Sequence, residues 1–322
     1  MLLRIGNMRG IDLSIFDFDY DLQWCATMLS ADGAVLGRFG AADAQSSSKY
    51  QSLPALRHSL EQALQRFKTS KNAEFEPRKS IRAEEYPAAA RLGDNGCIHC
   101  HHVYEFRRDA LKREGRWSLD EVWTYPEPEN IGLTLDPERG DRVLAVRPKS
   151  PAGQLGIQAK DLIRRIGETP IASVADLRYA LHRGPKKGDI EIVWESGATE
   201  RRASLPLAED WRKTDVSWRW SLKSLSPSPS IIGEDLGPDD RKKIGLDSKQ
   251  LAYRQMNFLT PAARHAGLQA SDVIVGINDR TMSMTARQFE THIRLYHKVG
   301  EEIALNVIRG KDRVKVKLKL PE

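Results

Sequence analysis

The sequence predicts an α+β multidomain chain, with an N-terminal α/β region followed by two β-rich domains. Three observations carry this. From about residue 126 onward one pattern of residues occurs twice. The first 68 residues alternate short β-type runs with one helical run. The composition, 40% hydrophobic and 29% charged over 322 residues, suits a globular chain long enough for two or three domains.

The elements follow in order. "MLLRIGNMRG" lacks the continuous apolar core of a signal peptide, and no apolar run approaches the roughly 18 residues of a membrane-spanning helix. "QWCATML" and "AVLGRFG" flank Asp32-Gly33, which predicts a β-hairpin. In "SLPALRHSLEQALQRF", Leu56, Leu60, Leu64 and Phe67 recur at helical spacing and mark the expected core face. Ser52 is the expected cap, with Pro54 in the first turn. Residues 69 to 95 are polar and charged and read as a linker or extended arm. "VYEFRRDALKREG" reads as a helix.

The repeat is specific in its spacing. "KSPAGQLGIQAKDLIRRIGETPI" is matched by "LTPAARHAGLQASDVIVGINDRTM". Ser150-Pro151-Ala152 corresponds to Thr260-Pro261-Ala262, Gly156 to Gly267, and Asp161 to Asp272. A helical stretch follows in each, "SVADLRYALHR" or "TARQFETHIRLYHK", and then a closing strand after Gly188 or Gly300. At the C-terminus Val314, Val316, Leu318 and Leu320 alternate with Lys315, Lys317 and Lys319, as in a half-buried strand with a solvated outer face. The net charge of +6 and pI of about 9.1 permit an acidic partner, but no zinc-finger or RNP-like spacing supports nucleic-acid binding.

These paired motifs resemble the bacterial PDZ domain, here twice over residues 128–207 and 208–322. The resemblance implies a groove that adds a peptide strand to a sheet edge beside a helix. In the first copy Ile131, Gly132 and Leu133 match the family's carboxylate-binding loop, Leu135 continues the strand, and Leu177 and Leu181 are groove-side or core positions on the helix. The implied partners are protein or peptide C-termini. The second copy offers Ile244-Gly245-Leu246 at a different spacing, which puts ordinary C-terminus binding there in doubt. "SWRWSLKSLSPSPSIIGEDLG" reads as a segment that wraps or joins the domains, with Trp211, Trp218 and Trp220 in core roles.

"DFDYDLQWCATMLSADGAVLGRFG" resembles the back half of a thioredoxin-like domain. The region 1–70 is therefore expected to be a partial thioredoxin-like fold whose active-site half precedes residue 1. Cys25 itself lacks a resolving thiol three positions on, where Met28 stands, and reads as a buried strand residue. The order of parts is similar to a bacterial family of thioredoxin-like proteins with PDZ domains.

Within the segment 71–127, "GCIHCHH" contains C-x-x-C-H, the pattern of c-type haem attachment. On that reading Cys97 and Cys100 form the thioethers and His101 ligates iron. The second axial ligand is open among His99, His102, Met256 and Met282. Zinc, a disulfide or a dithiol are the alternatives. The expected function is an extracytoplasmic, periplasmic peptide-binding scaffold with a haem or redox centre. The alternative is a thiol–disulfide oxidoreductase or electron-transfer protein. No G-x-S-x-G or Ser/His/Asp arrangement marks a protease, and the length ahead of the repeat is short for a protease domain.

Overall fold

A computed structural model describes residues 1–69 and 79–322. They form two compact units, Met1–Val216 and Ser217–Glu322.

The first unit opens with an irregular segment whose Met8, Leu13 and Tyr20 are buried with Ile98, Val103 and Phe106. Strands β1 (Ala26–Leu29) and β2 (Val35–Phe39) form the antiparallel hairpin expected at Asp32-Gly33. Gly33 takes a positive φ of 91°, the conformation a tight hairpin turn needs. Helix α1 (Leu53–Thr69) begins where Ser52 Oγ accepts the Ala55 N–H at 3.3 Å.

Its inward face is not the leucine stripe. Ala55, Ser59 and Ala63 are buried, whereas Leu60, Leu64 and Phe67 are 49%, 53% and 55% exposed. The cause is close approach. A Cβ placed on Gly37 of β2 would lie 3.8 Å from the Ala63 methyl, and only small side chains fit a helix that near a hairpin.

Of the expected linker, residues 70–78 lie outside the described residues. The remainder is not an extended arm. Ala83–Glu85 and Pro87–Leu92 form two 3-10 turns whose Ala83 and Ala89 join the N-terminal core. Helix α2 (Cys100–Arg113) follows, burying Val103 and Phe106.

The first copy of the repeat holds β3 (Leu133–Leu135), β4 (Val143–Val146), α3 (Pro151–Gln154), β5 (Leu162–Ile166), β6 (Thr169–Pro170), α4 (Val174–Arg183), β7 (Gly188–Ser196) and β8 (Thr199–Leu207). Strands β3 and β4 pair with each other, and the order β6-β5-β7-β8 forms a second antiparallel sheet. Asp161 bonds the N–H of Gln158 at 2.9 Å, tying off the turn into β5. Asp272 does the same for Gln269 at 2.8 Å in the second copy, which explains the repeated aspartate.

The second unit carries β9 (Gly233–Asp235), α5 (Pro238–Lys243), β10 (Tyr253–Gln255), α6 (Pro261–His265), β11 (Val273–Ile277), β12 (Arg280–Thr281), α7 (Ala286–Tyr296), β13 (Glu302–Arg309) and β14 (Asp312–Lys319). The strands run in the order β14-β13-β11-β10-β9, with β12 on β11. Val316, Leu318 and Leu320 are buried while Lys315, Lys317 and Lys319 are exposed, as the alternation predicts. Trp220 is 52% exposed, so it does not fill the core role expected of it; Lys223 Nζ sits 3.6 Å above its ring.

His182 on α4 gives a pH test of the first unit. Its ring stacks on Tyr125 at 4.4 Å, and burial lowers its pKa from 6.5 to about 4. A buried base of this kind is neutral in the fold and takes up a proton on unfolding. Its contribution is therefore intact above the unfolded value near 6.5 and is lost as pH falls toward 4, about 3 kcal/mol in all. Urea titrations at pH 7.5 and 4.5 should show wild type losing more stability than His182→Phe; equal losses would refute the assignment.

Candidate functional site

The first copy assembles its predicted groove residues from three directions. Pro128–Ile131 form a 3-10 turn ended by Gly132, whose φ is +89°. A Cβ there would lie 1.9 Å from Ser150 Oγ, so the position admits only glycine. The Gly132 carbonyl accepts the Arg147 N–H at 2.8 Å, joining the turn to the end of β4. Ser173 caps α4 by accepting the Asp176 N–H at 2.9 Å. Ile131, Leu133, Leu135, Leu177 and Leu181 then converge in one core and have no exposed surface; Gly132 is also buried.

Other parts of the same unit cover this face. The Arg38 N–H donates to Asp176 Oδ1 at 2.9 Å, and Ser173 Oγ donates to the Arg38 carbonyl. The Arg178 guanidinium donates to the carbonyls of Ala42 and Tyr125. Lys49 pairs with Asp43 at 3.3 Å and Glu129 at 3.9 Å, and Ala41 and Tyr50 join the core of the copy. On the other side, Asn130 Nδ2 donates to the Trp211 carbonyl at 2.7 Å, while Trp211 Nε1 donates to the Pro185 carbonyl at 3.1 Å. The residues expected to line a groove are core residues here, and segments N-terminal to the copy pack against the same helix. Among the described residues β3 and β4 form a two-stranded sheet.

The second copy differs. Ile244-Gly245-Leu246 is not its loop: Gly245 terminates α5 at φ +70°, and Leu246 packs with Leu236, Ala252 and Val273. The strand in the place of β3 is β9, antiparallel to β10 with Gly233 opposite Gln255 and Asp235 opposite Tyr253. The preceding residues Ile231-Ile232 occupy the loop. The Ile232 carbonyl accepts the Met256 N–H at 2.8 Å, and Thr260 Oγ1 donates to the Ser230 carbonyl at 2.7 Å.

Strand β9 lies at the sheet edge with Glu234 and Asp235 exposed, and Ile232 is 37% exposed. Helix α7 is capped by Thr285, and its buried Phe289 and Ile293 stand where Leu177 and Leu181 stand in α4. Asp235 Oδ1 accepts the Ala286 N–H at 2.9 Å, fixing one end of β9 to the helix. "NIGL" and "IIGE" share the signal that would have found this loop. A longer connection containing α5 separates the second from its repeat landmarks.

The Cys/His segment is set by Ile98, fully buried between two bonds to the N-terminal segment. Its N–H donates to Asn7 Oδ1 at 2.9 Å, and its carbonyl accepts the Met8 N–H at 2.8 Å. Cys97 is exposed, whereas Cys100 opens α2 and packs against the Met8–Phe106 core. Burial raises the pKa of the Cys100 thiol. Burial, then the nearby Cys100, push that of Cys25, a half-buried residue just before β1, up to about 12. His101 Nδ1 lies 2.9 Å from Glu105 Oε1, and Arg91 pairs with the other carboxylate oxygen at 2.5 Å.

This arrangement does not fit a c-type haem on Cys97, Cys100 and His101. Both sulfurs and the imidazole would have to border one deep apolar slot. Instead one thiol faces solvent and the other faces the core. A cleft of about 330 Å³ in the same unit is lined by Phe18, Asp19, Cys25, Phe39, Tyr125 and Arg178 and by none of the three motif residues.

A family model described as PDZ domain matches residues 244–320. Among curated proteins, the chain is 29% identical over 182 residues to a probable periplasmic serine protease do/HhoA-like of Haemophilus influenzae, covering 55% of this chain and 35% of that protein. It is 26% identical over 183 residues to the periplasmic pH-dependent serine endoprotease DegQ of Escherichia coli, covering 56% and 37%. With the periplasmic serine endoprotease DegP of Escherichia coli the identity is 27% over 180 residues, covering 55% and 34%. The chain thus spans about a third of the length of these relatives. A solved HtrA-type protease with a decapeptide aligns at a TM-score of 0.25 and 19% identity, covering 29% of this chain and 27% of that one. The chain contains a PDZ domain and is related to periplasmic proteases of the DegP and DegQ kind.

Proposed function

We propose that the protein is a periplasmic peptide-binding scaffold with tandem PDZ domains, and that its receptive groove in this state is the second one. The observation that carries this reading is β9, an exposed sheet edge of a PDZ-matched unit, lying beside the capped helix α7. An edge strand next to a helix is how such domains take up a peptide: the backbone supplies the hydrogen bonds and pockets select side chains. Ile231-Ile232-Gly233 is then the loop that receives the peptide's terminal carboxylate. The first copy, with Ile131, Gly132, Leu133, Leu135, Leu177 and Leu181, is a second PDZ domain held closed. The hairpin and α1 of residues 1–70 serve as its thioredoxin-like cover.

The periplasmic relatives support the location. Among the described residues no helix is long and apolar enough to cross a membrane. Protein or peptide C-termini are the partners, and nucleic acid is not.

The test is fluorescence anisotropy with labelled peptides ending in an apolar residue and a free carboxylate. Ile232→Asp, on an exposed side chain, should weaken binding at least tenfold without lowering Tm. Amidation of the peptide terminus should weaken it comparably. Unchanged affinity in Ile232→Asp would reject the second copy as the receptor.

A pair of reduced thiols, of which Cys97 alone is exposed to solvent, is our reading of the C-x-x-C pair. Under native conditions iodoacetamide should alkylate Cys97 alone. Cys25 and Cys100 should react only in denaturant, as read by peptide mass spectrometry. Rapid native labelling of Cys25 would contradict the burial assigned to it.

A further inference from the structure

We propose that His101, His102 and Glu105, in the first turns of α2, form a divalent transition-metal site of zinc type that does not use the cysteines. One ligand atom from each lies within 4.8 Å of the others. A tetrahedral zinc site with bonds of about 2.0–2.1 Å needs its ligand atoms roughly 3.3 Å apart. Binding would draw the ligand atoms together by side-chain rotation. His101 Nδ1 and Glu105 Oε1 already stand 2.9 Å apart, four residues from each other on one helix face. A cation entering there replaces the proton they share. His102 reaches the same point from the adjacent position, its ring centroid 4.4 Å from that of His101.

The surroundings suit a metal. Arg91 binds the second oxygen of Glu105 and fixes the carboxylate's orientation, as outer partners of metal ligands do. His102 Nδ1 presently accepts the His99 N–H at 3.2 Å, so binding through that nitrogen releases a weak cap bond. Two imidazoles and one carboxylate leave a fourth position for water, and the donor set selects zinc, cobalt, nickel or copper over magnesium or calcium. The thiols are placed apart from this group: Cys97 faces solvent and Cys100 faces the core.

The experiment is a zinc titration of the full chain by calorimetry, with elemental analysis of the dialysed protein. One equivalent should bind to wild type and to the Cys97→Ser/Cys100→Ser double variant alike. His101→Ala and Glu105→Gln should each weaken binding at least tenfold with unchanged far-UV circular dichroism. Cobalt substitution should give weak visible d–d bands without the near-ultraviolet thiolate charge-transfer band. Loss of binding in the double-serine variant, or full binding in His101→Ala, would overturn the proposal. So would the absence of stoichiometric zinc in wild type.

Discussion

The guanidinium of Arg178 is buried on α4, and the organisation of the first unit depends on how it is held. It donates to the Tyr125 carbonyl at 2.8 and 2.9 Å and to the Ala42 carbonyl, and lies 3.5 Å from the Asp19 carboxylate. A charge taken out of water costs several kcal/mol unless its hydrogen bonds and counter-charge are supplied in the fold. Here they come from three separate stretches of chain, all N-terminal to the repeat. The segment before the hairpin, the loop after it and the segment entering the first copy therefore converge on one helix. Asp176, two residues away and fully buried, adds the Arg38 N–H to the same junction. The same segment carries Ala41 and Tyr50 onto the core of the first copy.

In the second copy the corresponding helix position carries a different residue. Glu290 takes the position of Arg178 and receives a hydrogen bond from Tyr253 within its own domain. Arg294 of the same helix donates to the Leu225 carbonyl at 2.6 Å, within the second unit. Its edge strand β9 keeps Glu234 and Asp235 exposed, where β3 presents two fully buried leucines. The strand of the first copy is thus buried, and that of the second, followed by the additional helix α5, keeps exposed acidic residues.

The parts legible in the sequence were those fixed by local chemistry. The Asp32-Gly33 hairpin, the Ser52 cap, the paired Ser150 and Thr260 caps and the two turn aspartates all act within a few residues of their position. Tertiary distance hid the rest. Periodicity names an apolar face on α1, but the close approach at Gly37 selects the alanine face for burial. Ile231-Ile232-Gly233 is hidden in the sequence because the connection containing α5 lengthens its distance from Thr260. The covering of the first groove involves pairs such as Arg38 with Asp176, and no pattern along the chain connects residues so far apart.

The Cys/His segment makes the same point at smaller scale. As a string, C-x-x-C-H groups Cys97, Cys100 and His101 because they are neighbours in sequence. As a helix start it separates them. Ile98 is driven inward and locked by two backbone bonds, which turns Cys97 outward. Cys100 begins the helix against the core, and the rise of α2 then carries His101 over Glu105. The grouping that matters chemically is the one with a period of nearly four, which includes an acidic residue that the haem pattern does not contain. A motif defined by adjacency and a site defined by a helical face share one histidine here. The fold decides between them through the burial of an isoleucine that neither description counts as functional.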